Sequence, residues 1–163
     1  MKVRRISQFQ SLIHFPNFDV NFEKYKERFL TTDLGKIYNA LPWNECVESL
    51  GLKEYRKGPQ SIFSPRGKLA LMFLKHYTGS SDRRLIEQLN GNIYYQIFCD
   101  MILPPGYHID NFKIVSQIRC EIAKKLDIDE VEKVLMKSWK PYIDNQDSIT
   151  CDATCYESSI KFP

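Results

Sequence analysis

The stretch SPRGKLALMFLKHY, residues 64–77, constrains the fold of this chain more than any other. Ser64 and Pro65 form an N-cap and N1 pair, in which the serine hydroxyl and the fixed proline φ together open a helix. Behind them LALMFL, Leu69 to Leu74, is apolar on every face of that helix. A helix with no polar stripe has no side to turn toward water, so other elements must surround it. The run is also the longest apolar stretch of the chain, and it falls well short of the roughly 18–20 residues that cross a bilayer. The expectation is a helical bundle with this helix at its centre and no membrane span.

Punctuation on both sides supports that reading. Thr32 is a predicted N-cap for a short helix that Pro42 ends, and Asn44 is predicted to start another turn through Leu50. GLKEYRKGPQSIFSPRG reads as a loop over 51–65, and Ser80 or Ser81 caps a following helix that buries Leu85, Ile86 and Leu89. Ile93, Tyr94, Ile97, Phe98, Met101 and Ile102 recur at helical spacing until PPG at 104–106. Asp110 is the predicted cap of the next helix, whose Phe112, Val115, Ile118, Ile122 and Leu126 form one stripe. Asp127 and Glu130 make an aspartate version of a capping box for a helix through Trp139. Only after Pro141 does the pattern become the alternation of SITCDAT, with Thr150, Asp152 and Thr154 on one face and Ile149, Cys151 and Ala153 on the other. The predicted class is therefore mainly α: a multi-helix bundle over 1–140, then a β-strand within 141–163. A single strand cannot satisfy its own backbone, so this one requires partner strands that the preceding residues do not supply.

Charge is unevenly placed. The net charge is +3, but residues 51–84 carry eight basic side chains against two acids, whereas residues 101–163 carry eight against ten. A positive field confined to the middle of the chain suits a polyanion partner, although charge alone equally describes a solvated helical surface. Five scattered cysteines suit reduced thiols better than a disulfide framework. The basic N-terminus lacks an apolar h-region, so a cytoplasmic location is expected.

Few residues offer chemistry. Asp is depleted in strands, and one that occurs there often holds a metal, yet hydrolytic and phosphoryl-transfer sites gather several carboxylates around their cations. On the residues alone Asp152 reads more simply as an edge-strand or turn-proximal acid. Cys151 and Cys155 have no second pair and no neighbouring histidine to complete a zinc set. His14, His76 and His108 stand apart from one another, and no phosphate-binding glycine loop or nucleophile elbow is present. Glu157 is five residues beyond Asp152, but a turn expected to begin at ESS would point it elsewhere.

Two stretches resemble bacterial insertion-sequence transposases of the IS-four/IS-five type, in which an InsH-like N-terminal domain leads into a DDE, RNase H-like catalytic domain. SPRGKLALMFLKHYTGSSDRRLIEQLNGNIYYQIFCDM, residues 64–101, is similar to that family's apolar helix, its S-D-R-x-L turn (Ser81, Asp82, Arg83, Leu85) and its later aromatic-small pair (Phe98, Cys99). CDATCYESSIKFP is similar to the first catalytic strand, where Asp152 matches the first of the family's three metal-binding acids. Between 108 and 120 the chain departs from the family's D-x-S-T-L-x-R-F-R run and keeps only Asp110 and Arg119 as counterparts. The second Asp and the Glu are expected farther downstream, so the resemblance implies the front part of a longer, truncated transposase.

What the resemblance implies about function is specific. The parent enzyme would bind the terminal inverted repeats of its element as double-stranded DNA, act as a homo-oligomer, and cleave and transfer strands with Mg2+ held in part by Asp152. Phosphate contacts are expected from Arg66, Lys68, Arg83 and Arg84, and from Lys53, Arg56 and Lys57 on the loop. A helix-turn-helix over 66–90 is conceivable. Alone, the fragment is expected to be inactive, because one carboxylate does not assemble a metal pair. The alternative is a non-catalytic DNA-binding or protein-interaction module that regulates a full-length transposase.

Overall fold

A computed structural model describes residues 19–54, 61–104 and 106–143. Eight helices follow one another in these residues: α1 Asp19–Thr31, α2 Asp33–Ala40, α3 Trp43–Ser49, α4 Pro65–Thr78, α5 Asp82–Gly91, α6 Ile93–Phe98, α7 Lys113–Ala123 and α8 Ile128–Trp139. A 3-10 turn, Lys140–Tyr142, closes the series. The class is mainly α. The strand expected around Asp152 lies outside the described residues, as do Arg56 and Lys57 of the loop.

The all-apolar helix is at the centre, as its sequence demanded. α4 packs against α3, α5, α6 and α7, and Ala70, Leu71 and Leu74 are completely buried. Its start is set by Ser64, whose Oγ accepts from Gly67 N at 2.9 Å. Thr32, Ser81 and Asp127 cap α2, α5 and α8 in the same way, accepting from Gly35 N, Arg84 N and Glu130 N. In the last case Glu130 does not reach back as a capping box requires; its Oε1 accepts from Lys133 Nζ at 2.8 Å.

Three boundaries differ from expectation, each for a local reason. α3 begins at Trp43 without a side-chain cap, because the indole anchors the turn by donating from Nε1 to the Tyr38 carbonyl at 2.8 Å. The helical spacing that runs to Ile102 is broken after Phe98. Asp100 takes a φ of 56°, and Met101 and Ile102 are buried as extended chain. Asp110 is exposed and caps nothing; the side chain beside it, Asn111 Oδ1, accepts from Lys113 N at 3.1 Å.

Aromatic rings fill the space beneath α4. Phe98 meets Trp43 edge-on at a centroid distance of 5.5 Å and Phe73 at 5.6 Å. Phe29 of α1 meets Tyr38 at 5.5 Å. Such contacts add about 0.5–1.5 kcal/mol each beyond the area they bury. The close approach of α4 to the turn after α6 depends on Gly67, where a Cβ would sit 2.6 Å from the Cys99 carbonyl oxygen. Burial raises the Cys99 thiol pKa strongly, with the Asp100 carboxylate adding to the effect, so this sulfur is packing material, not a nucleophile.

Candidate nucleic-acid interface

α4 and α5 are joined by three residues, Gly79, Ser80 and Ser81. Gly79 ends α4 in the left-handed conformation, with φ of 59°, and Ser81 starts α5. Lys75 Nζ ties the turn down by donating to the Ser80 carbonyl at 2.5 Å, and Ser80 Oγ donates to Gln88 Oε1 at 2.9 Å. A short glycine-containing turn between two helices is the connectivity of a helix-turn-helix. Leu85, Ile86 and Leu89 bury one side of α5, which leaves Arg83, Arg84 and Glu87 on the exposed side.

The seven residues expected to contact DNA fall into distinct environments. Arg84 is exposed, and among the described residues its side chain has no hydrogen-bond or ion-pair partner. Arg83 is 76% exposed and donates from Nε to Glu87 one turn along α5 at 3.1 Å. Lys53 is exposed at the start of the loop. Arg56 and Lys57 lie outside the described residues.

Arg66 and Lys68 point into the fold instead. The Arg66 guanidinium carbon lies 4.5 Å from the Tyr38 ring centre and 5.1 Å from that of Trp43, and Arg66 Nε is buried without a hydrogen-bond partner among the described residues. Burial raises the Tyr38 phenol pKa; the Arg66 charge opposes this and the Asp100 carboxylate reinforces it. Lys68 is buried, and its Nζ donates to both carboxylate oxygens of Glu121 at 2.7 and 3.0 Å. An arginine spread over two rings and a buried, paired ammonium hold α4 against its neighbours. Among the described candidates, the arginines of α5 and Lys53 are the exposed ones.

Sequence reasoning passed over Lys75 and Glu121, and took Asp82 and Arg119 only as points of family likeness. Asp82 Oδ1 lies 2.7 Å from Lys75 Nζ and its Oδ2 lies 3.1 Å from Arg119 Nη2. The hydrogen bond from Lys75 is the largest cause holding the Asp82 carboxyl below its ordinary pKa, with Arg119 contributing and partial burial opposing. The signal was present in the S-D-R-x-L turn and the Arg119 match, yet pairing across 37 positions leaves no periodic trace. Two more polar side chains were passed over for the same reason. Asn90 exchanges two hydrogen bonds with the backbone of Ile109, at 3.1 and 3.0 Å. Gln96 donates to the Leu89 carbonyl and accepts from Leu103 N.

With this geometry in place, comparison with known families is decisive at the level of the domain. A family model described as a transposase domain, DUF772, matches residues 22–120. The chain belongs to this transposase domain family. The match starts within α1, well before the stretch from residue 64 that carries the resemblance, and it ends inside α7, so that it includes both Asp82 and Arg119. No curated protein and no solved structure matches the chain. Among the described residues of the transposase domain, no helix is long and apolar enough to cross a membrane, and no group of three or more His, Cys, Asp or Glu side chains gathers as a metal site.

Proposed function

We propose that this transposase domain binds double-stranded DNA at the ends of an insertion sequence, with the first turn of α5 on the phosphate backbone. The observation that carries the reading is the pair Arg83 and Arg84. Both are exposed at the start of a helix that follows a three-residue turn, in a chain of the transposase domain family. Partly solvated arginines at a helix start gain from charge complementarity with a polyanion and from the fork geometry that phosphates accept. The wider reading extends the resemblance: an IS-four/IS-five-type enzyme, in which Asp152 belongs to a DDE set that holds Mg2+ for strand cleavage and transfer. Asp152 lies outside the described residues, so the proposal for the described domain is end binding.

The test is an electrophoretic shift of the purified chain on duplexes carrying the terminal repeats of its element, against shuffled duplexes, over about 50–200 mM salt. The expected result is a retarded complex that weakens steeply with salt and is lost on exchanging Arg83 and Arg84 for glutamate. Equal binding by the doubly reversed protein would remove α5 from the interface. No complex with either duplex, together with co-purification of a full-length transposase, would favour the protein-interaction module.

A further inference from the structure

The Asp82–Arg119 contact does more than join α5 to α7. Arg119 is anchored through a single nitrogen: Nη2 reaches Asp82 Oδ2 at 3.1 Å and Ser116 Oγ at 2.9 Å. Its Nε and Nη1 have no partner among the described residues, and the side chain is 51% exposed. Asp82, meanwhile, already has a closer cation in Lys75, at 2.7 Å. An exposed ion pair of this kind contributes little to stability, so stability alone is a weak reason for an arginine here. What the pairing does achieve is orientation. A long side chain that is usually free loses its rotamer freedom before any ligand arrives, with most of its donors still open.

The surroundings are cationic. Lys75 and Arg119 both pair with Asp82 at the first turn of α5, Arg83 pairs with Glu87, and Arg84 is exposed beside them. On the opposite flank of the α7 core stripe, Glu121 turns toward Lys68 and Lys125, so the acid of α7 faces away from this patch.

The geometry points to Arg119 as a phosphate contact of the DNA interface, with Asp82 as its positioning residue. A duplex backbone lying on Arg83 and Arg84 then crosses from α5 onto α7. This assignment rests on the DNA-binding reading, and it adds a second helix to the contact surface.

The experiment measures the affinity of the purified chain for a terminal-repeat duplex by fluorescence anisotropy as a function of salt. Removing one phosphate contact lowers the magnitude of the slope of log K against log salt by about 0.9. Arg84→Gln and Arg119→Gln are each expected to lower it by about that amount, and the double variant by about twice as much. Arg119→Lys keeps the charge, so its slope stays while affinity falls. Asp82→Asn releases the anchor without removing a cation; it weakens binding with the slope intact, which a purely structural role for the pair does not predict. If Arg119→Gln matches wild type in slope while Arg84→Gln does not, Arg119 is outside the interface and the inference fails while the DNA-binding reading stands. If wild type itself shows no salt-dependent binding, both fail.

Discussion

Lys68 Nζ of α4 lies 2.7 Å from Glu121 Oε2 of α7, and this lysine is the more deeply buried partner, its side chain 8% exposed against 25% for the glutamate. A basic residue that composition assigns to the surface thus joins two helices separated by 53 positions. The asymmetry of burial decides which substitution does the harm. Glu121→Ala removes two carboxylate acceptors from a buried ammonium and is expected to cost about 2–3 kcal/mol. Lys68→Met removes the charge with its desolvation cost, keeps most of the apolar stem, and leaves Glu121 closer to water, so its cost is smaller. Urea midpoints with unchanged m-values check the order, and equal losses from the two variants would contradict it.

Acid should loosen the junction of α4, α5 and α7. The Asp82 carboxyl is held below its ordinary range chiefly by the Lys75 hydrogen bond. A group whose folded pKa is depressed contributes stability that is complete above its unfolded pKa of about 3.9 and is lost as pH falls through the lower folded value. Stability measured by urea unfolding is therefore expected to separate wild type from Asp82→Asn at about pH 7, and the gap should narrow at about pH 3. A gap that stays constant between these conditions would rule out the ion pair as its source.

The helices were legible in the sequence wherever capping and periodicity agreed. Thr32, Ser64, Ser81 and Asp127 each cap through the side chain, because an N-cap is a local event within about one helical turn. The misreading after Phe98 has the opposite character. Met101 and Ile102 are as buried as helical core residues, so their spacing imitates a helix. Asp100, in a left-handed conformation, turns the chain away, and its carboxylate accepts from Ser64 Oγ at 3.2 Å. The candidate interface was half legible for the same reason. Arg83 and Arg84 are exposed because α5 is amphipathic, which a sequence displays; the pairing of Lys68 with Glu121 is tertiary, which it does not.

Two helical glycines should respond in opposite directions to alanine. At Gly67 a Cβ meets the Cys99 carbonyl oxygen at 2.6 Å and Ser64 Oγ at 3.2 Å. Backbone cannot yield as a side-chain tip can, so Gly67→Ala is expected to destabilise by about 2 kcal/mol despite its better helix propensity. Gly91, at the end of α5, has nothing within 4 Å of the same atom. There Gly91→Ala should be neutral or stabilise by up to about 1 kcal/mol, since only the unfolded chain loses freedom. Thermal melting of both proteins tests the pair.

Arg66 offers the sharpest separation of structure from binding. Its guanidinium lies over Tyr38 and Trp43 at 4.5 and 5.1 Å, a cation–π contact with two rings that an ammonium reproduces poorly. Arg66→Ala is expected to cost about 1–2 kcal/mol, with Arg66→Lys recovering only part of it. Because Trp43 loses its cationic neighbour while Trp139, bonded to the Ala40 carbonyl, keeps its surroundings, the change should appear in the emission of a Trp139→Phe background. The same Arg66 variants, kept well below their melting temperatures, should bind duplex with the salt slope of wild type. A slope reduced by about one for Arg66→Ala, which removes the charge, would show that the guanidinium leaves the rings to reach a phosphate.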